Sequence, residues 1–223
     1  MTPADISVVI PAINEAQSIA YAIRSALQAG ASEVIVCDGG SDDETVSVAT
    51  AAGATKIIRS IPGRGIQLNA GAVFASREMV LFLHADNQLD ASCLNQICEI
   101  PDVVWGAFQQ RIDHPRRAYR ILEKGNAARV RYRGMAFGDQ AIFVRRAVYK
   151  QAGGFEEIEL MEDVAFSRTM RAIARPVLLS GPITISARRW EERGIVRQTL
   201  RNWNLQCRYR LGASPRQLAK RYC

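Results

Sequence analysis

Carboxylates with small polar neighbours recur in three stretches of the chain: PAINE (Pro11 to Glu15), CDGGSDD (Cys37 to Asp43) and HADN (His84 to Asn87). Each follows an apolar run of the kind that forms a strand buried on both faces. The ends of such strands border the crevice in which open α/β sheets bind ligands. A carboxylate there can accept hydrogen bonds from ribose hydroxyls or a base N–H, or hold a divalent cation, while nearby helix N-termini offer free amide donors. Each residue also has a structural reading. Asn14, Ser41 and Asp43 can cap helices, and Asp38 can shape a turn.

The elements that would position these groups alternate. Ile6–Ile10 reads as a strand; Asn14 with Gln17 reads as a capping box, and Ile19, Ile23 and Leu27 at spacings of four carry a helix to Gly30. Val34–Cys37 is a second strand, followed by a second capping box (Ser41, Glu44) and a helix to Gly53. Lys56–Arg59 is a third strand, a helix starts near Gly65, and Met79–Leu83 is a fourth strand. Four strands with helical crossovers predict a parallel, right-handed, Rossmann-like sheet. The second half is less regular. Strands are expected over 103–112, 139–145, 177–179 and 183–187, the last two flanking a Ser-Gly-Pro turn, with helices over 115–133, 147–152 and 162–175. The acidic Glu162 and Asp163 fall in the first turn of the last of these, where they favour the helix dipole.

Charge is unevenly placed. The net +7 combines 5 Lys+Arg against 11 Asp+Glu in residues 1–100 with 24 against 11 thereafter. A basic half suits nucleic acid, anionic lipid or phosphorylated small molecules. No helix-turn-helix, zinc-finger or RNA-binding aromatic signature accompanies it, so nucleic acid is not expected. No G-x-G-x-x-G follows the first strand, and GRGIQLNAG (Gly63 to Gly71) does not supply one; no P-loop is present. NAD enzymes and P-loop NTPases are thereby disfavoured. The five cysteines are scattered without a C-x-x-C pair and read as free thiols. With no signal-like N-terminus and no long apolar run, a cytoplasmic location is expected.

The ordered set VVIPAINEA, VIVCDGGSDDET, GRGIQLNAG, LFLHAD, GDQAIFVRR, MEDVAFSRTMR and RRW resembles the family 2 glycosyltransferases of the GT-A fold, over nearly the whole chain. It is most similar to a bacterial subgroup labelled arsenosugar-biosynthesis glycosyltransferases. The resemblance implies an α/β, mainly parallel sheet flanked by helices in one domain: a catalytic domain over 1–190 (nucleotide-sugar half 1–100, acceptor half 101–190) and a basic helical tail over 191–223. It implies a nucleoside-diphosphate sugar as donor and Mg²⁺ or Mn²⁺ as cofactor. Asp86 takes the place of the last acid of a D-x-D motif and would hold the metal, whereas His84 replaces the first acid and would contact ribose or phosphate. Pro11, Ala12 and Glu15 would lie against the nucleoside, Asp38 would read base or ribose, and Arg64 would neutralise phosphate, with Gln67 and Asn69 as further candidates. Glu162 and Asp163 match the family's E-D pair, Asp163 as the base that takes the acceptor's proton. Asp139, Gln140, Arg189 and Trp190 would line the acceptor side. Ser186 stands where the family's Q-x-x-R-W has Gln, which speaks against processive synthesis.

The reading is an inverting, metal-dependent transferase acting on a small or lipid-linked acceptor. Two alternatives are a non-catalytic nucleotide-sugar sensor or scaffold, and a nucleotidyltransferase, which would need a Gly-rich, lysine-containing loop near the first strand. From Val196 the stripe Val196, Leu200, Trp203, Cys207 and Leu211 predicts an amphipathic helix among arginines. Its apolar side is expected to dock on the catalytic domain, with contact to an anionic membrane surface as the other possibility.

Overall fold

The computed structural model describes residues 1–222; Cys223 lies outside them. Eight strands form one mixed sheet, β1 (Ile6–Ala12), β2 (Glu33–Asp38), β3 (Lys56–Arg59), β4 (Met79–Phe82), β5 (Asn87–Leu89), β6 (Trp105–Ile112), β7 (Phe143–Arg145) and β8 (Val177–Ile185), in the order β3-β2-β1-β4-β7-β6-β8-β5. The β3-β2-β1-β4 half is parallel throughout, as the alternation of strands and helices requires. The reversal comes at β7, which runs antiparallel to both β4 and β6.

The apolar runs are buried on both faces. Ile6, Val8 and Ile10 of β1 enter one core with Met79 and Leu81 of β4, while Val9, Val80 and Phe82 enter the core on the opposite side. Helices α1 (Ile19–Gln28), α2 (Thr45–Ala51) and α4 (Cys93–Cys98) cover the first face, and α3 (Arg64–Phe74), α6 (Arg146–Gln151) and α7 (Glu162–Ile173) the second. Helix α3 comes close enough that a Cβ on Gly71 would stand 2.4 Å from Val9 Cγ1 and 2.6 Å from Cys37 Sγ. That contact fixes the glycine and brings Arg64, at the start of the helix, to the sheet edge. Helix α5 (Arg117–Arg133) packs along β6, and α8 (Arg188–Arg193), α9 (Ile195–Arg210) and α10 (Pro215–Tyr222) follow the last strand.

Three local expectations are corrected. The proposed caps do not start their helices: α1 begins after Ser18 and α2 after Glu44. Instead the two loops bond to each other, Asn14 N donating to Ser41 Oγ (3.0 Å), Asp42 N to Asn14 Oδ1 (3.0 Å) and Ala16 N to Asp43 Oδ2 (3.2 Å). These short polar side chains found backbone partners across the loop gap, a competing use of the same chemistry. The expected strand pair around Ser180-Gly181-Pro182 is one strand, β8, whose register against β6 shifts between Phe108 and Gln110. A bulge accommodates the proline that a regular central strand would exclude. The apolar stripe of α9 is exposed: Val196, Leu200, Trp203 and Leu211 are 56–87% accessible. Leu205 and Gln198 are the residues of α9 that are buried.

Cys37, Cys93, Cys98 and Cys207 are free thiols, and burial pushes Cys37 and Cys93 up to about 12. Among the described residues no helix is long and apolar enough to cross a membrane.

Candidate active site

A cleft of about 180 Å³ opens where β4 leaves the sheet. Its walls bring together Arg64 from the start of α3, His84 and Asp86 from the β4–β5 connection, Asp139, Asp163 from the first turn of α7, and Arg189 and Trp190 from α8. These residues are spread over more than 120 positions of the sequence. The sheet edge and the N-terminus of α7 converge on them.

The Asp163 side chain is held by two backbone donors. Its Oδ2 accepts a hydrogen bond from Gly138 N (2.9 Å) and its Oδ1 one from Val164 N (2.7 Å). A Cβ on Gly138 would stand 2.7 Å from His84 Nε2 and 3.6 Å from Asp163 Oδ2, so Gly138 is the narrow floor on which His84 and Asp163 meet. Burial, with Arg64 and Arg189 nearby, lowers His84 to about 3, which leaves a neutral imidazole at neutral pH. One ring nitrogen is then available as an acceptor. Asp139 is raised by burial, an effect opposed by Arg129, which burial lowers to about 10. Its Oδ1 is buried without a hydrogen-bond partner among the described residues, as is Trp190 Nε1. Both atoms belong to residues that line the cleft.

Glu162 stands apart from its neighbour. It is buried and forms an ion pair with Arg64 Nε, 98 residues away in sequence. It holds that guanidinium at the cleft wall and does not line the cleft itself. Burial raises the Glu162 carboxyl, an effect opposed by Arg64. Arg64→Ala is therefore expected to cost about 2–3 kcal/mol at pH 8, below the roughly 3–5 kcal/mol for fully buried pairs because Arg64 is one-third exposed. A buried acid whose folded pKa is raised loses stability as pH climbs past its unfolded value. Losing Arg64 raises Glu162 further, so the Tm deficit should shrink from pH 8 to pH 5, as a melting series would show.

The other expected residues take different places. Pro11 and Ala12 are buried at the end of β1, beside Cys37 and Asp38 of β2. Asp38 accepts hydrogen bonds from Gly40 N (3.1 Å), Ser41 N (3.1 Å) and Ser41 Oγ (2.5 Å), so it shapes the turn after β2. Glu15 accepts from Ser18 Oγ (2.6 Å). None of Pro11, Ala12, Glu15 and Asp38 lines the cleft, and three further candidates are tied into the protein itself. Gln140, placed on the acceptor side by resemblance, is buried, with Oε1 accepting from Arg129 Nη2 (2.7 Å) and Phe137 N (3.2 Å). Gln67 Nε2 donates to the carbonyls of Ala12 (2.9 Å) and Cys37 (2.8 Å), and Asn69 bonds Tyr149 and the Phe155 backbone. All three brace the loops that carry the site.

The sequence pattern of glycosyl transferase family 2 matches residues 7–152. The chain belongs to that family. An uncharacterized glycosyltransferase of Mycobacterium tuberculosis is 34% identical over 92 residues, and one of Mycobacterium bovis is equally similar; the match covers 41% of this chain and 41% of each relative. The chain thus spans about two-fifths of the length of the curated relatives it matches. Among solved structures, S. aureus TarS 1-349 has a TM-score of 0.66 at 18% identity, covering 84% of this chain and 61% of that one. The mannosyltransferase PcManGT from Pyrobaculum calidifontis has 0.61 at 21%, covering 83% and 58%. Glucosyl-3-phosphoglycerate synthase from Mycobacterium tuberculosis has 0.57 at 18%, covering 81% and 69%. The fold is GT-A.

Whether the cleft can hold a metal rests on Asp86. No cluster of three metal-ligating side chains exists among the described residues. One half-buried carboxylate beside a neutral imidazole fits a hard cation that takes its remaining oxygens from a diphosphate and water. Asn87 and Arg188, from the HADN and RRW stretches, line the cleft too, as do three residues that sequence reasoning missed, Gln198, Asn202 and Gln206. The last three recur every four positions on α9, and that polar period was the signal available to find them.

Proposed function

We propose that the protein transfers one sugar from a nucleoside diphosphate to an acceptor hydroxyl with inversion at the anomeric carbon, using a divalent metal. The observation that carries this reading is the meeting of Asp86, Arg64 and Asp163 in one cleft. The nucleoside lies at the ends of β1 and β2, against Pro11, Ala12, Glu15 and Asp38, and the diphosphate faces Arg64. Asp86 would hold Mg²⁺ or Mn²⁺, and that ion would supply charge neutralisation for the diphosphate. Support comes from the structural relatives, described with UDP and Mg²⁺ for the mycobacterial synthase and with GDP-Man and Mn²⁺ for PcManGT. Arg64, kept charged and oriented by Glu162, stabilises the leaving group.

Asp163 takes the proton of the acceptor hydroxyl as that oxygen attacks from the face opposite the leaving diphosphate. Its two backbone hydrogen bonds fix the carboxylate's direction, which is what a general base needs before its basicity matters. His84 contacts ribose or phosphate as a neutral group. On the acceptor side stand Trp190, Asp139 and Arg189, the last bringing a positive charge. A small hydroxylated acceptor or a lipid-linked one suits these groups. The test is incubation with UDP-, GDP- and TDP-sugars and a panel of acceptors, with and without Mn²⁺. Release of diphosphate with a product of inverted anomeric configuration is expected; a product of retained configuration would exclude Asp163 as the base of a single displacement.

A further inference from the structure

Helix α9 is inside out for a soluble protein. At about 100° per residue, Val196, Leu200, Trp203 and Cys207 share one face, while Gln198, Asn202 and Leu205 share the opposite one. The polar face lines the cleft. The apolar one is exposed, with Val196 71%, Leu200 56%, Trp203 60% and the following Leu211 87% accessible. Helices of soluble domains turn their apolar stripe to the core and leave the polar side in water. Arg197, Arg201 and Arg208 run along one flank of the stripe, and Arg210 stands on the other. From residue 194 to 222 the chain carries seven Lys+Arg and no Asp or Glu.

We propose that this face seats the protein on an anionic lipid bilayer. The stripe would enter the boundary between headgroups and acyl chains, Trp203 would sit at headgroup depth, and the flanking arginines would pair with lipid phosphates. Charge decides between this occupant and a second copy of the chain. A two-fold contact through α9 would bring two such cationic helices together with no acidic side chain in the segment to relieve them, whereas an anionic surface complements them. The lipid contact is independent of the transfer reading. If that reading holds, the contact favours a lipid-linked acceptor, because the helix that lies on the bilayer also lines the cleft.

The experiment is co-sedimentation of the full chain with vesicles of phosphatidylcholine alone or with 30% phosphatidylglycerol. Two variants accompany the wild type, Leu200→Ser/Trp203→Ser and Arg197→Gln/Arg208→Gln/Arg210→Gln. All five substituted positions are exposed, so the variants should keep the wild-type circular dichroism spectrum and melting temperature. Wild type should sediment with the anionic vesicles, not the neutral ones, and should be released by salt. The arginine variant should lose on the order of 100-fold in partition, and the apolar variant should stay in the supernatant. Wild type remaining in the supernatant with anionic vesicles would overturn the proposal, as would binding unchanged in both variants. A dimer in sedimentation velocity that Leu200→Ser/Trp203→Ser dissolves, without vesicle binding, would assign the stripe to self-association instead.

Discussion

Asp163→Asn is expected to lower sugar transfer by about 10²–10⁴-fold while donor binding stays within a few-fold of wild type. The amide has one oxygen where the carboxylate uses two, so it keeps the hydrogen bond from Gly138 N or from Val164 N and turns its NH2 toward the other donor, at a cost of about 1–3 kcal/mol in stability with the turn at the start of α7 retained. What it loses is the ability to take a proton. Single-turnover transfer and donor titration on the same sample separate these effects. If Asp163 served only to satisfy the helix N-terminus, as acids in first turns often do, turnover would be unchanged. The meeting of His84 and Asp163 at Gly138 argues for the catalytic role.

Asp86→Ala is the second large effect. Asp86 is the one cleft acid that leaves β4 directly, at the sheet edge where the diphosphate is placed. Without it the metal loses its protein oxygen, and transfer in Mn²⁺ should fall on the order of 100-fold or more. Nucleotide affinity measured in Mn²⁺ should drop toward the metal-free value. Asp86→Glu, which keeps a carboxylate one methylene further out, should recover part of the loss at higher Mn²⁺. A merely structural role for Asp86 would give a lower Tm in both variants and no dependence on metal concentration.

The first half of the fold was legible because its strands are buried on both faces. Val34–Cys37 and Met79–Phe82 read as unbroken apolar runs, and Gly30 and Gly53 mark where the following helices stop. The second half uses shorter pieces whose partners are distant. β5 is Asn87-Gln88-Leu89, a strand only because it pairs with β8 almost a hundred residues later. The bulge that keeps β8 continuous has no local signature beyond Gly181-Pro182, which reads equally well as a turn.

The site divides in the same way. Asp86 and Asp163 each sit near an element's end, but it was the family resemblance that gave them their expected roles. The Arg64–Glu162 ion pair could not be named, since two residues 98 positions apart carry no mutual spacing. Gln67, Asn69 and Gln140 show that a polar residue near a motif can serve the scaffold, by satisfying backbone groups that would otherwise be buried alone. On α9, period alone gave the helix but not its orientation. The cleft needed the polar face, so the apolar stripe was left outward.

If the proposed function holds, this cleft binds a nucleoside diphosphate through a metal. A thermal-shift panel of UDP, GDP, TDP, CDP and ADP, each with and without Mn²⁺, tests it most directly. A ligand at 100 times its Kd adds about 2.7 kcal/mol, which for a chain of this size raises Tm by roughly 5–10 °C. Such a rise is expected for at least one nucleotide, in Mn²⁺ and not without it. No rise with any of the five, at millimolar nucleotide and metal, would contradict it.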